Sequence, residues 1–192
     1  MVAYDAVVVA GGRGTRLGGV DKGKLDVGGR SLLSRALEAV VAARQTVVVG
    51  PSRPLPPEVV GTTEDPVGGG PAAALAAGLA RVDADIVVAL ACDMPFLTND
   101  HVTHLVEVVG DNPAADGAVL VDPAGRRQPL AAAYRTVSLR AAYDALGDPH
   151  GASMWALTNH LTLIETRADS ETTLDCDTWA DVVRSRDILE ER

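Results

Sequence analysis

The sequence predicts an α/β protein with a mostly parallel central sheet between layers of helices, and three observations carry that expectation. Valine-rich runs alternate along the chain with alanine- and leucine-rich segments of helical spacing, the pattern of strands joined by crossover helices. The runs are apolar on consecutive residues, as expected of strands covered on both faces. Loops rich in glycine, proline and aspartate follow the strands, at the edge where open sheets of this class gather their ligands.

Taken in order, Ala6-Val-Val-Val-Ala10 reads as a buried strand that runs into a glycine-rich, basic stretch ending at Leu25. A first crossover helix is predicted over 31–44, with Leu32, Leu33, Ala36, Leu37, Val40 and Val41 on one face and Ser31 as its cap. Thr46 to Gly50 reads as the second strand, and Pro51 to Pro57 is too proline-rich to extend a strand or a helix, which predicts a surface loop. The segment from Glu64 contains the triple glycine Gly68-Gly69-Gly70, and Pro71 suits the first turn of an alanine-rich helix over 72–82. Ile86 to Ala91 is another buried strand, ending at Cys92-Asp93-Met94-Pro95. Beyond it the spacing predicts a helix over 99–109, strands over 117–121 and 130–134, a helix over 136–146 and a last strand over 161–166.

Composition sets the function classes. A length of 192 residues and a hydrophobic share of 47% fit one domain over 1–192, with no shift in composition to mark a second. No apolar run approaches the roughly 20 residues of a bilayer span, and the N-terminus has no basic region or cleavage site of a signal peptide, so a cytoplasmic protein without membrane contact is expected. A formal net charge of -9 argues against nucleic acid as a partner. Cys92 and Cys176 belong to no CxxC pattern and read as ordinary thiols.

The chain has only two lysines, Lys22 and Lys24, and both lie in the glycine-rich stretch; all other cationic side chains are arginine. An ammonium is a compact point charge that a planar guanidinium does not mimic, so its use here points to a specific ligand contact. Glycines let backbone amides approach phosphate oxygens, while Arg13, Arg16 and Lys22 neutralise them. A carboxylate at a strand end, as at Asp93, suits a magnesium ion that also contacts phosphate. Together these features predict a nucleoside triphosphate site. Two better-known phosphate loops fail on one residue each. The dinucleotide fingerprint GxGxxG has Leu17 at its third glycine, and the Walker A spacing Gly18 to Lys24 is followed by Leu25, which has no hydroxyl for magnesium.

Ala10-Gly11-Gly12, Arg16, Gly18 and Lys22 match the pattern AGG-x-x-x-R-x-G-x-x-x-K, and Gly19-Val20-Asp21-Lys22 completes it. With Glu64-Asp65, Gly69-Gly70-Pro71 to Leu79, Asp93-Met94-Pro95-Phe96 and Gln128-Pro129-Leu130 to Tyr134, the chain resembles, over nearly its whole length, the GT-A-like nucleotidyltransferases and among them the molybdenum cofactor guanylyltransferases. The resemblance implies a single-domain, three-layer α/β/α, Rossmann-like fold and transfer of GMP from GTP to molybdenum-molybdopterin with Mg2+ as cofactor. It assigns Ala10, Gly11, Gly12 and Gly14 to backbone contacts with the nucleotide, with Gly69 and Gly70 in the second glycine loop. Arg16 and Lys22 go to the phosphates, Asp65 to the ribose or base, and Asp93 to the metal. It also implies partners that deliver the pterin. Three positions depart from the pattern. Gly50 stands where the family often carries asparagine, and it has no side chain to read a base. Gly147 to Met154 holds His150 and Ser153 in place of arginines. Asp175-Cys176-Asp177-Thr178 replaces N-x-N-T, with Asp177 open to a metal or acceptor role or to capping the last helix. The alternatives are cytidylyl transfer to molybdopterin, nucleotidyl transfer to another phosphorylated acceptor, and a non-catalytic nucleotide-binding protein of the same fold.

Overall fold

The computed structural model describes residues 2–12 and 17–191. A seven-stranded sheet forms the middle layer. Its strands are β1 (Asp5–Val9), β4 (Thr46–Val49), β5 (Val59–Thr62), β6 (Ile86–Ala91), β7 (Gly117–Val121), β8 (Arg127–Arg135) and β9 (Leu163–Arg167), in the spatial order β5-β4-β1-β6-β8-β7-β9. A separate two-stranded hairpin pairs β2 (Asp26–Val27) with β3 (Arg30–Ser31).

The sheet is parallel from β5 to β6 and again between β7 and β9; β8 runs antiparallel to both of its neighbours. The fold class expected from the sequence is therefore the observed one. The apolar runs bury both faces: Ala6, Val8, Val88 and Leu90 point to one side, and Val7, Val9, Val87 and Ala89 to the other. The first side is covered by α1 (Leu32–Ala39) and α3 (Asn99–Asp111). The second is covered by α2 (Pro71–Leu79), α4 (Thr136–Leu146) and α5 (Met154–Thr158). A last helix, α6 (Trp179–Glu190), lies against the β2–β3 hairpin, where Leu17, Leu25, Val27, Leu32, Cys176 and Val182 form a third, smaller apolar cluster.

Several boundaries differ from expectation for physical reasons. The helix predicted over 31–44 ends at Ala39: β-branched Val40 and Val41 follow, and the Arg44 amide already donates to the Tyr4 carbonyl, which starts the parallel pairing of β4 with β1. Strand β5 was not anticipated, because it has only four residues and carries a glycine. Strand β8 begins at Arg127, ahead of its predicted start. Pro129 is accommodated there because the β7–β8 register shifts between Val119 and Leu120, so that the proline sits at an irregularity of the ladder. The Tyr134 hydroxyl donates to the Pro129 carbonyl across this bulge at 2.8 Å.

Candidate active site

Strand order reverses beside β1: the chain moves from β1 to β4 on one side and later returns to β6 on the other. Such a switch point opens a crevice at the carboxyl ends of the strands. Here it is a cavity of about 730 Å³ whose walls include Val9, Gly11 and Gly12 after β1, Gly50 and Pro51 after β4, Thr63 and Glu64 after β5, and Cys92 and Asp93 after β6. Main-chain bonds keep this floor closed: Ala10 N donates to Val49 O at 2.7 Å and Cys92 N to Val9 O at 3.0 Å. Helix α2 begins at the wall with Gly70 and Pro71, and no side chain caps it. An uncapped helix N-terminus presents amides and the positive end of its dipole, which suits an anion.

Of the residues singled out from the sequence, Gly11, Gly12, Gly70 and Asp93 line the cavity. Ala10 lies just beneath it and offers its carbonyl to Arg53. Gly69 backs the loop: it is buried, its carbonyl accepts from Gly151 N at 2.7 Å, and a Cβ there would stand 2.7 Å from the Ala73 Cβ. That bond seats the Gly147 to Met154 segment on the triple glycine. Asp65 is solvent-exposed and off the cavity wall, whereas its neighbour Glu64 is on it, 9% exposed and accepting from Gly68 N at 3.1 Å. Arg13, Gly14 and Arg16 fall outside the described residues.

Lys22 opens a 3-10 turn, Lys22–Lys24, capped by the Asp21 carboxylate. Its ammonium donates to Asp93 Oδ2 at 3.0 Å and, very closely, to Asp177 Oδ1. Burial opposes the charge, but the two carboxylates more than offset it and hold the ammonium above the ordinary lysine range. The Cys176 amide donates to the Asp93 carbonyl at 2.9 Å, which fixes the two acidic loops to each other. Asp175 joins the same acidic edge; partial burial and the charges of Asp177 and Asp93 push its carboxyl up. Asp177 caps no helix, since α6 is capped by Thr178 in a reciprocal box with Asp181. The Cys92 thiol, in the cavity floor, is pushed up to about 12 by burial, which keeps it neutral.

For Asp177 the motif resemblance left a metal or acceptor role open, and only the tertiary fold, across 155 residues of chain, brings it to Lys22. One further residue had little signal in the sequence. Arg53 sits in the proline-rich loop predicted to be surface, yet its side chain is 3% exposed and reaches back to Asp21. Position 50 also acquires a physical account: a Cβ there would stand 2.6 Å from the Ala10 carbonyl oxygen and 2.9 Å from the Gly11 nitrogen, so the backbone approach leaves room only for glycine.

The family model described as MobA-like NTP transferase domain matches residues 6–163. Among curated proteins, a molybdenum cofactor guanylyltransferase from Cupriavidus taiwanensis is 33% identical over 141 residues, covering 67% of this chain and 69% of the relative. Among solved structures, molybdopterin-guanine dinucleotide biosynthesis protein A from Archaeoglobus fulgidus superposes with a TM-score of 0.75 at 21% identity, covering 98% of this chain and 100% of that one. A Mycobacterium tuberculosis protein solved in complex with manganese superposes with a TM-score of 0.73 at 20% identity, covering 97% of this chain and 99% of that one. The fold is common to all of these structures, and the match over most of the chain leads to one conclusion: the chain belongs to the MobA-like NTP transferase family and is a nucleotidyltransferase.

Proposed function

We propose that the protein transfers GMP from GTP to the terminal phosphate of molybdenum-molybdopterin. An oxygen of that phosphate bonds to the α-phosphorus of GTP, the α–β anhydride bond breaks, pyrophosphate leaves, and the guanine dinucleotide cofactor is formed. The observation that carries the reading is the convergence of Lys22, Asp93 and Asp177 beside the cavity at the sheet's switch point. The names of the curated relatives supply the substrates.

The chemistry asks little of acid–base groups. The second pKa of a phosphate monoester is about 6, so the attacking oxygen is already largely deprotonated at neutral pH. Catalysis then rests on alignment and on neutralising charge. The amides of Gly11 and Gly12 and the start of α2 approach the nucleotide, and Lys22 meets its phosphates, with Arg13, Gly14 and Arg16 in the same loop by their place in the motif. Glu64, which is on the cavity wall, takes the nucleotide-contact role in this reading rather than Asp65, which is off it. Asp93 and Asp177 converge on one ammonium, and two hard carboxylates directed at one cation suit Mg2+, which takes one or two protein carboxylates and completes its shell with phosphate and water. Bound there, Mg2+ supplies charge neutralisation on the triphosphate.

We read 1–192 as one such domain acting in the cytoplasm, with pterin-delivering proteins as partners and neither nucleic acid nor a membrane as a ligand. The net charge of -9 supports the absence of nucleic acid as a ligand, and among the described residues no helix is long and apolar enough to cross a membrane. One observation favours a second reading, cytidylyl transfer: Gly50 offers no side chain to a guanine. The deciding experiment is pyrophosphate release by purified protein with Mg2+ and molybdenum-molybdopterin, run in parallel with GTP and CTP. Selective turnover with GTP is expected; selective turnover with CTP replaces the proposal with the second reading, and silence with both replaces it with another acceptor or with a non-catalytic nucleotide-binding protein of the same fold.

A further inference from the structure

We infer that Arg53 is a positioning residue for Lys22, a role that rests on the nucleotidyl-transfer reading above. The Arg53 side chain leaves the loop after β4 and is almost wholly buried, with 3% exposure. Its three nitrogens reach three different segments. Nε donates to the Pro51 carbonyl at 3.1 Å, Nη2 donates to the Ala10 carbonyl at 2.9 Å, and Nη1 lies 3.3 Å from Asp21 Oδ1. The guanidinium thus ties its own loop to the exit of β1 and to the cap of the Lys22 turn.

Asp21 transmits the contact. The Oδ1 atom that faces Arg53 also accepts from Gly23 N at 3.1 Å, and the turn closes with Lys24 N donating to Asp21 O and Leu25 N to Lys22 O, each at 3.0 Å. This turn sets the direction in which Lys22 leaves the backbone toward Asp93. Gly23 makes room for the arrangement: a Cβ on it would stand 2.0 Å from Arg53 Nη1. An ammonium in place of the guanidinium has no fork with which to reach both Ala10 and Asp21. Lys22 is in contact with carboxylates on its far side and with Arg53, through Asp21, on its near side. Its placement therefore depends on a residue that does not itself line the cavity.

The test uses the intact protein and exploits its two lysines. Labelling with 13C-lysine gives two side-chain resonances, that of Lys22, set apart by its carboxylate neighbours, and that of exposed Lys24. In Arg53→Met the Lys22 resonance is expected to move toward that of Lys24 while the melting temperature stays within a few degrees of wild type. Mg·GTP binding is expected to weaken about tenfold in Arg53→Met but less than about twofold when the same substitution is made on Lys22→Met, because residues acting through one another are not additive. Guanosine binding is expected to be unchanged, and Arg53→Lys is expected to behave as Arg53→Met. An unmoved Lys22 resonance, or equal losses in both backgrounds, overturns the inference. If Arg53→Met fails to fold, Asp21→Asn tests the same link, since asparagine still accepts from Gly23 but no longer attracts the guanidinium. Wild-type protein that binds no triphosphate overturns the functional reading, and the lysine spectrum still decides the coupling of Arg53 to Lys22.

Discussion

The apolar clusters on the two faces of the sheet and the third cluster beneath α6 use the same chemistry to different ends. The large clusters stack β1, β4, β6 and their flanking helices, and they reach the cavity only at their edges, through Val9, Ala74 and Cys92. The small one joins Leu17 and Leu25, which flank the Lys22 turn, to Cys176 and Val182, which flank Asp177. Burial in the sheet specifies the fold. Burial in the third cluster brings two distant stretches of chain to one point, so that a lysine from one meets a carboxylate from the other. Stability and site assembly thus draw on largely separate groups of buried residues, and they can be perturbed separately.

The sharpest contrast comes from the site itself. Asp93→Ala is expected to lower turnover about a thousandfold, the scale of losing a principal charge-stabilising group, while leaving the unfolding midpoint close to wild type because the Asp93 carbonyl still receives the Cys176 amide. Single-turnover kinetics beside denaturant melts check both halves; retained magnesium-dependent turnover removes Asp93 from the mechanism. In the sheet, Leu90→Ala removes a fully buried side chain and is expected to cost about 3 kcal/mol of stability with unchanged activity per folded molecule. Urea unfolding with activity titrated against folded protein decides it.

Leu17→Ala is expected to cost about 2 kcal/mol, toward the lower end for such substitutions because a cluster at the molecular edge relaxes more easily. Amides of 17–25 and 175–178 should lose hydrogen-exchange protection together, whereas Leu90→Ala should raise exchange across the sheet; the same pattern in both variants would dissolve the distinction between the clusters. The smallest effect belongs to the cap of α6. Hydrogen bonds from Thr178 hold the Asp181 carboxyl below its usual range, so its contribution is complete above the unfolded value of about 3.9 and disappears as the pH falls through the lower folded value. Asp181→Asn should therefore lose at most about 1 kcal/mol at pH 7, since solvent screens this largely exposed group, and progressively less as the pH falls through the lowered folded value. Melts across that range measure it, and a difference that persists in acid argues against the cap.

Much of this was legible in the residues. Strands β1, β4, β6 and β7 stood out because both of their faces are buried, and Thr136 to Leu146 because its helical spacing is regular. The direction of β8 was not, since a strand buried between two others reads alike whether parallel or antiparallel. In the site, the glycine-rich loop and Asp93 could be found from local spacing. Arg53 could not: four prolines surround it in the sequence, and local composition spoke for a surface loop although the guanidinium folds inward. The capping reading of the Asp175 to Thr178 segment fits Thr178, while Asp177 turns the other way, toward Lys22. Such a choice between two neighbouring side chains depends on the packing of Cys176 just before them, which no periodicity records.

The close approach of Gly50 to the Ala10–Gly11 peptide has a consequence for how this protein can change. No single substitution can introduce a base-reading side chain at position 50, because any Cβ collides with main chain rather than with a rotamer that can step aside. A descendant that acquired one would first have to tolerate a shift in the loop that follows β1. If the proposed function holds, the open routes to altered nucleotide choice lead through Pro51 and Thr63, which share the same wall and already carry a Cβ. Nucleotide preference in this lineage is therefore a trait with a locked door at one position and two unlocked ones beside it.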